Sequence, residues 1–474
     1  MSDIDRCKDP MVLLRGTLES ARKLYGEQSQ RGTVHGTKMA SVATATITGI
    51  NNKPTQPPSH HRAVSVDTQQ QRQKQQQKSP SHRRLGSVDV LQQKPPSHRR
   101  LGSVDRRNQS NMSTSSNLGE VEEAEKLLAA RLRRIRHLLY EERRESSQSD
   151  SPRKPTMAIK TMEGLTGSAD PALVSLTIVL LDNLCAVPFE ARKDVAAIFN
   201  YLLTCGMEGP DASVYADVME GFRAFVQKTF DPFMTTILNH HHNCSASGGT
   251  ESPRDVMLHA GSMYRSCLRH TSLYQLLVST KENVRRFVLP FLDEFAHSPN
   301  FEVSSDAMET LRIVLTGELK HPNHGSAQAS MHKITAAFLE RDYVEIWDER
   351  FIPKLLADES SNYITRRTAL KILSTVMLTK TNQPILLRFV ASSQNLKVSM
   401  LLLRNNSPHI TFDAFHAFKI FVANPNKPPE IVRMLSNNKD KLCRYLETLH
   451  KDKEATDTQF RDEKALVIRT LQAL

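Results

Sequence analysis

Three serines stand three residues after an arginine: Ser65 after Arg62, Ser87 after Arg84 and Ser103 after Arg100. Basophilic protein kinases pair acidic clefts with arginines upstream of the accepting hydroxyl. The chemistry this spacing offers is therefore phosphoryl acceptance, with about −1.5 to −2 of charge added per site. The triplets belong to one short unit that recurs as PPSHHRAVSVD ending at Asp67, SPSHRRLGSVD ending at Asp89 and PPSHRRLGSVD ending at Asp105. Their serines Ser59, Ser81 and Ser97 lie 22 and 16 residues apart. A stacked solenoid needs a regular period of about 20 to 50 residues, so these copies read as linear motifs.

Other chemistry is thin. His240, His241, His242 and Cys244 form the best metal-like cluster, but they lie in NHHHNCSASGGTESP. Its Gly, Ser and Pro content predicts an exposed loop, and adjacent ligands cannot preorganise a tetrahedral site unaided. Asp457, Asp462 and Glu463 have the spacing of a solvated helix face, and Trp347 in VEIWDERFIPKLL reads as core or groove wall. No GxxxxGK[ST], GxGxxG, HExxH, GxSxG or EF-hand loop occurs. The residues give no support to an enzyme, and neither a catalytic group, a metal nor a cofactor is expected.

The elements that must position any site come from composition. Of the net +12, residues 28–118 hold +11, from 14 basic against 3 acidic side chains. That segment is rich in Gln, Ser, Pro and Thr and almost lacks large apolar residues, so it is expected to be a disordered insert unable to offset its chain entropy. The charge then sits on a tether and the folded remainder is near neutral, which argues against nucleic-acid binding. The six cysteines stand at least twenty residues apart with no CxxC pair, as in a reducing compartment. No apolar run approaches the roughly 18 residues of a membrane span, and no hydrophobic leader opens the chain. A cytoplasmic protein is expected.

Residues 1–27 are expected to hold a short helix, 119–147 an amphipathic helix (Leu128, Leu132, Ile135 and Leu139 are spaced four, three and four), 148–168 a linker, and 169–474 a series of helices without strand alternation. Within the last part a small alanine followed by apolar residues at helical spacing recurs at Ala260, Ala307, Ala369 and Ala414, at intervals of 47, 62 and 45. The long interval contains the polar stretch HPNHGSAQAS, read as a loop insertion. The fold class is all-α, an armadillo/HEAT-like helical-repeat solenoid.

Several segments resemble the calcium-binding protein 39 family of armadillo-like scaffolds. They are FEARKDVAAIFNYLL from Phe189, FEVSSDAMETL from Phe301, SNYITRRTALKIL from Ser361, NLKVSMLLLRNNSPHITFDAFHAFKIFVANPNK from Asn395 and DTQFRDEKALVIRTLQAL from Asp457. They are collinear over most of residues 170–474, with fainter likeness at 9–25 and 127–140. The basic insert, the Ser/Pro linker and the extension near His240 depart from the family, and no calcium loop is present despite its name.

The resemblance implies a non-catalytic scaffold that binds a sterile-20-type kinase or pseudokinase on a concave surface and supports its active conformation, in polarity or morphogenesis signalling. It also implies a pocket for a partner's Trp-Glu-Phe-type tail at Phe301, Tyr363, Arg367, Lys397 and Met400. Tyr363 and Arg367 are four apart and Lys397 and Met400 three apart, so each pair shares a helix face and offers one apolar and one cationic group. A second, kinase-contacting surface aligns with Lys380 and Gln383, where the family's charge is kept and its aromatic anchor is absent. The solenoid is expected to be monomeric before complex formation. Two alternatives are a nucleic-acid-binding helical repeat, suggested by the pI near 9.4, and an adaptor that has lost kinase activation.

Overall fold

The computed structural model describes residue 4 and residues 9–25, 108–146, 156–165, 174–204, 212–246, 254–318 and 325–474. Every element among them is helical. Contacts divide the chain into one unit of residues 1–47 with 121–474 and a second of residues 48–120. The repeated motif and its serines Ser65, Ser87 and Ser103 lie outside the described residues.

The alanine pattern marks a structural register. Each of Ala260, Ala307, Ala369 and Ala414 is fully buried. Each is also the seventh residue of its helix, in Arg254–Leu268, Phe301–Thr316, Tyr363–Leu378 and Pro408–Ala423. These helices pack in succession, continued upstream by Phe189–Thr204 and downstream by Thr458–Gln472. A methyl side chain at each crossing lets the backbones approach, and nearest-neighbour stacking builds a helical repeat. In the final helix the seventh position is Lys464, only 3% exposed. Its ammonium donates to Leu449 O at 2.6 Å and pairs with Glu454.

Helix ends are fixed locally. Asn300 caps Phe301–Thr316 by accepting from Glu302 N at 3.0 Å and Val303 N at 3.4 Å, and Asn362 caps Tyr363–Leu378 through Thr365 N at 2.8 Å. Gly317 ends the former at φ 65°, where a side chain would be strained and its Cβ would collide with Thr335 Oγ1. The segment Val344–Ala357 winds as a π-helix with Pro353 inside it, and Asp358 N donates to Pro353 O at 2.9 Å, five residues back. It carries Trp347, completely buried with its ring centroid 4.7 Å from that of Phe351. Trp347 is thus core.

Three expectations are corrected. The helix expected from residue 119 starts at Asn108, inside the segment assigned to the insert, and no proline between Pro96 and Pro152 stops it from extending upstream. The expected linker 148–168 contains the helix Thr156–Leu165; Met162 and Leu165, three apart, are buried. Within the polar stretch expected to be a loop, GSAQAS forms the opening turns of the helix Gly325–Arg341.

The N-terminal helix Pro10–Tyr25 packs against Thr156–Leu165 and Val174–Asp182. Arg131, from the long helix Asn108–Ser146, donates to Gly16 O and, at 2.6 Å, to Ser20 Oγ. Leu14, Ala21, Leu128, Leu132 and Ile135 are all fully buried.

Candidate partner-binding surface

Phe301 and Tyr363 each follow a capping asparagine as the first residue of a ladder helix. They are 59% and 38% exposed. The caps commit the first turn and leave the aromatic outside it. Phe189, after Pro188 and without such a cap, is also the first residue of its helix, 51% exposed with Lys193 Nζ 4.6 Å from its ring centroid. Rings at this exposure forgo the gain from burial and are the type that dominates interface energy when a partner covers them.

Arg367 lies one turn beyond Tyr363, half-buried, and its Nε donates to Asp413 Oδ2 at 3.3 Å on Pro408–Ala423. Lys397 is exposed and Met400 half-buried on Ser393–Leu402, which packs on the same helix Pro408–Ala423. The two pairs expected from sequence thus stand on helices with a common neighbour. The ion pair that holds Arg367 reaches a residue not singled out from sequence.

Between Tyr363–Leu378 and Pro408–Ala423 runs a groove of about 240 Å³, lined among others by Lys371, Ser374, Leu378, Asp413, His416 and Lys419. Lys419 donates to Glu463 Oε2 at 2.6 Å, and His416 Nδ1 lies 3.8 Å from the same oxygen. Glu463 is therefore tied into the ladder, correcting its expected place on a solvated face. Burial would raise its carboxyl, but the bonds from Lys419 and Gln459 hold it below the usual range. Burial, with Lys419 adding to it, pushes the His416 imidazole down. The other two carboxylates stay peripheral: Asp457 caps the last helix through Phe460 N at 2.9 Å, and exposed Asp462 meets Arg461.

At one end of the groove Leu378 is 71% exposed. The turn after it is pinned by Thr379 Oγ1 donating to Thr375 O at 2.8 Å and by buried Asn382 donating to Val376 O at 3.0 Å. This fixed turn presents Lys380, and Gln383 follows as the first residue of Gln383–Ala391; both are exposed. Leu387, one turn further on, is 52% exposed. Leu378 and Leu387 are apolar groups that sequence reading missed; only their exposure in the fold distinguishes them from core leucines. Exposed Lys371 and Lys380 add positive charge beside apolar Leu378 and Leu387, a combination suited to acidic and aromatic groups.

The histidine cluster expected in an exposed loop is corrected as well. The helix Phe230–Ala246 runs through it and His240 is 5% exposed, because the apolar spacing of Phe233, Ile237 and His240 puts that ring on the packed face. No group of three or more His, Cys, Asp or Glu among the described residues could hold a metal ion. No helix among them is long and apolar enough to cross a membrane.

Stacked helices with small residues at their crossings and a fixed row of exposed aromatic, aliphatic and cationic groups define an α-helical repeat protein. The model of the family described as Mo25-like matches residues 93–474. The chain is similar to the Calcium-binding protein 39-like protein of Mus musculus, with 32% identity over 63% of this chain and 76% of that one. It is similar to the Mo25-like protein of Schizosaccharomyces pombe, with 31% identity over 63% and 78%. A putative MO25-like protein of Arabidopsis thaliana shares 37% identity over 62% and 73%. The chain belongs to the Mo25-like family.

Proposed function

We propose that the protein is a non-catalytic, cytoplasmic scaffold that binds a sterile-20-type kinase or pseudokinase and takes a Trp-Glu-Phe-type tail at Phe301, Tyr363, Arg367, Lys397 and Met400. The observation that carries this reading is the pair of capped helix starts that hold Phe301 and Tyr363 exposed on neighbouring helices. Arg367 supplies a guanidinium for the acidic residue of the tail, and Met400 a half-buried wall for its aromatic residues. Lys380 and Gln383, with Leu378 and Leu387 beside them, form the second contact, with the kinase domain.

Arg367→Ala and Met400→Ala are each expected to weaken a Trp-Glu-Phe-type peptide by about 1 to 3 kcal/mol in calorimetry, with cooperative melting checking that each variant is folded. Unchanged affinity in both variants would remove the site. Recovery of a kinase in stoichiometric amount by affinity purification and mass spectrometry tests the partner.

The same reading makes Ser65, Ser87 and Ser103 acceptors for a basophilic kinase, through which partner choice or location changes without effect on the fold. Phosphopeptide mapping is expected to find at least two of the three modified; all three unmodified under every condition would end that part of the proposal.

A further inference from the structure

Away from the ladder edge, the turn after helix Val174–Asp182 carries Cys185, exposed to solvent. Its sulfur lies 3.4 Å from Nδ1 of buried His240. The other ring nitrogen, Nε2, lies 2.6 Å from Leu181 O, an atom that can only accept. Nε2 therefore carries the ring proton, and the lone pair on Nδ1 faces the thiol. That is the orientation of a base toward a nucleophile, with the base itself oriented by a third group.

The surroundings hold this geometry. Arg192 donates through Nε to Val187 O at 2.7 Å and through Nη2 to Cys185 O at 2.8 Å, fixing the backbone of the turn. Its Nη1 pairs with Asp255 at 2.8 Å, so part of its charge is neutralised. Asp182 lies close to His240; burial pushes its carboxyl up to about 6, while the bond from Thr236 and the imidazole pull it back. Cys267 and Cys443 contrast with Cys185: both are buried, and burial pushes the Cys267 thiol up to about 12.

We propose that Cys185 and His240 form an activated thiol–imidazole pair at which the cysteine sulfur is oxidised by hydroperoxides. The sulfur attacks the terminal peroxide oxygen; the S–O bond forms as the O–O bond breaks. The thiol proton passes to His240 Nδ1 and on to the departing oxygen, leaving a sulfenic acid and one molecule of alcohol or water. The partner-binding surface plays no part in this step, so the two readings stand or fall separately.

The test uses the full-length protein. Cys185 is alkylated with iodoacetamide from roughly pH 5.5 to 9, and its peptide is quantified by mass spectrometry. The expected midpoint lies at least about one unit below the free-thiol value of about 8.5. His240→Gln is expected to return it to that value and to slow labelling several-fold at neutral pH. After brief treatment with hydrogen peroxide, a dione probe should mark Cys185 well above Cys267. A wild-type midpoint in the free-thiol range, or a dione adduct no more abundant at Cys185 than at Cys267, overturns the proposal. Both readings come from the wild-type chain, so they hold even if the variant fails to fold.

Discussion

Arg265→Ala should lower the unfolding free energy by about 3 kcal/mol or more, one of the two largest effects expected in this molecule. Arg265, on Arg254–Leu268, reaches across to Phe301–Thr316, where Nη2 meets Asp306 Oδ1 at 2.6 Å and Nη1 donates to Asp306 O at 3.2 Å and Thr310 Oγ1 at 3.0 Å. The two side chains are only 19% and 12% exposed. The helices are close at this point: a Cβ on Gly261 would collide with the Asp306 carboxylate. Truncating the arginine leaves a carboxylate with little water and no counter-charge, and that penalty exceeds the net worth of the pair. The double variant Arg265→Ala, Asp306→Ala should therefore be more stable than Arg265→Ala alone. Denaturant unfolding of both singles and the double decides it; additive losses would show that the two groups are not coupled. The result matters for binding because this crossing sets the position of the helix that begins with Phe301.

The second large effect is a loss of stability in mild acid that originates at His270. This residue is 5% exposed, precedes the helix Thr271–Val278, and its Nε2 lies 2.5 Å from Leu203 O. Burial lowers its imidazole to about 4; the bond to Leu203 opposes the shift, and Arg223 and Arg269 add to it. A histidine whose folded value is depressed contributes no penalty above its unfolded value of about 6.5. As pH falls below 6.5 the unfolded chain takes up a proton that the folded chain refuses, so stability falls until about pH 4, by then by about 3 kcal/mol. Asp182 acts in the opposite sense, since a raised carboxyl favours the folded state as pH falls. Other shifted groups, His416 among them, also enter the raw acid curve, so the diagnostic quantity is the difference between wild type and His270→Gln, measured by denaturant unfolding at pH 7 and pH 4. A difference that does not change with pH would remove His270 as the source.

What the chain shows without its fold, and what it hides, divides along the range of the interactions. The four alanines could be read because a helix crossing demands a small residue whatever surrounds it, and their spacing survived as a common seventh position. Lys464 at the same position could not be read, since its burial depends on Leu449 O and Glu454, supplied by the preceding turn and short helix. Phe301 and Tyr363 were found through the family resemblance. Asp413 was not, because its pairing with Arg367 spans 46 residues and leaves no local pattern. His240 was misread because a run of polar residues was given more weight than the apolar spacing upstream that buries it.

Residues 1–47 and 121–474 belong to the same unit, so residues 48–120 join two parts of that unit along the chain. They are topologically a closed loop, not a tail. Closing a loop costs entropy only as the logarithm of its length, about 0.6 kcal/mol for each doubling. Lineages can therefore lengthen or shorten this segment, and duplicate motifs within it, at almost no thermodynamic penalty to the body. A single backbone cut inside it would not release the first helix, which Arg131 and the buried leucines would still retain. Such a nicked molecule would migrate as one species under native conditions and as two fragments once denatured.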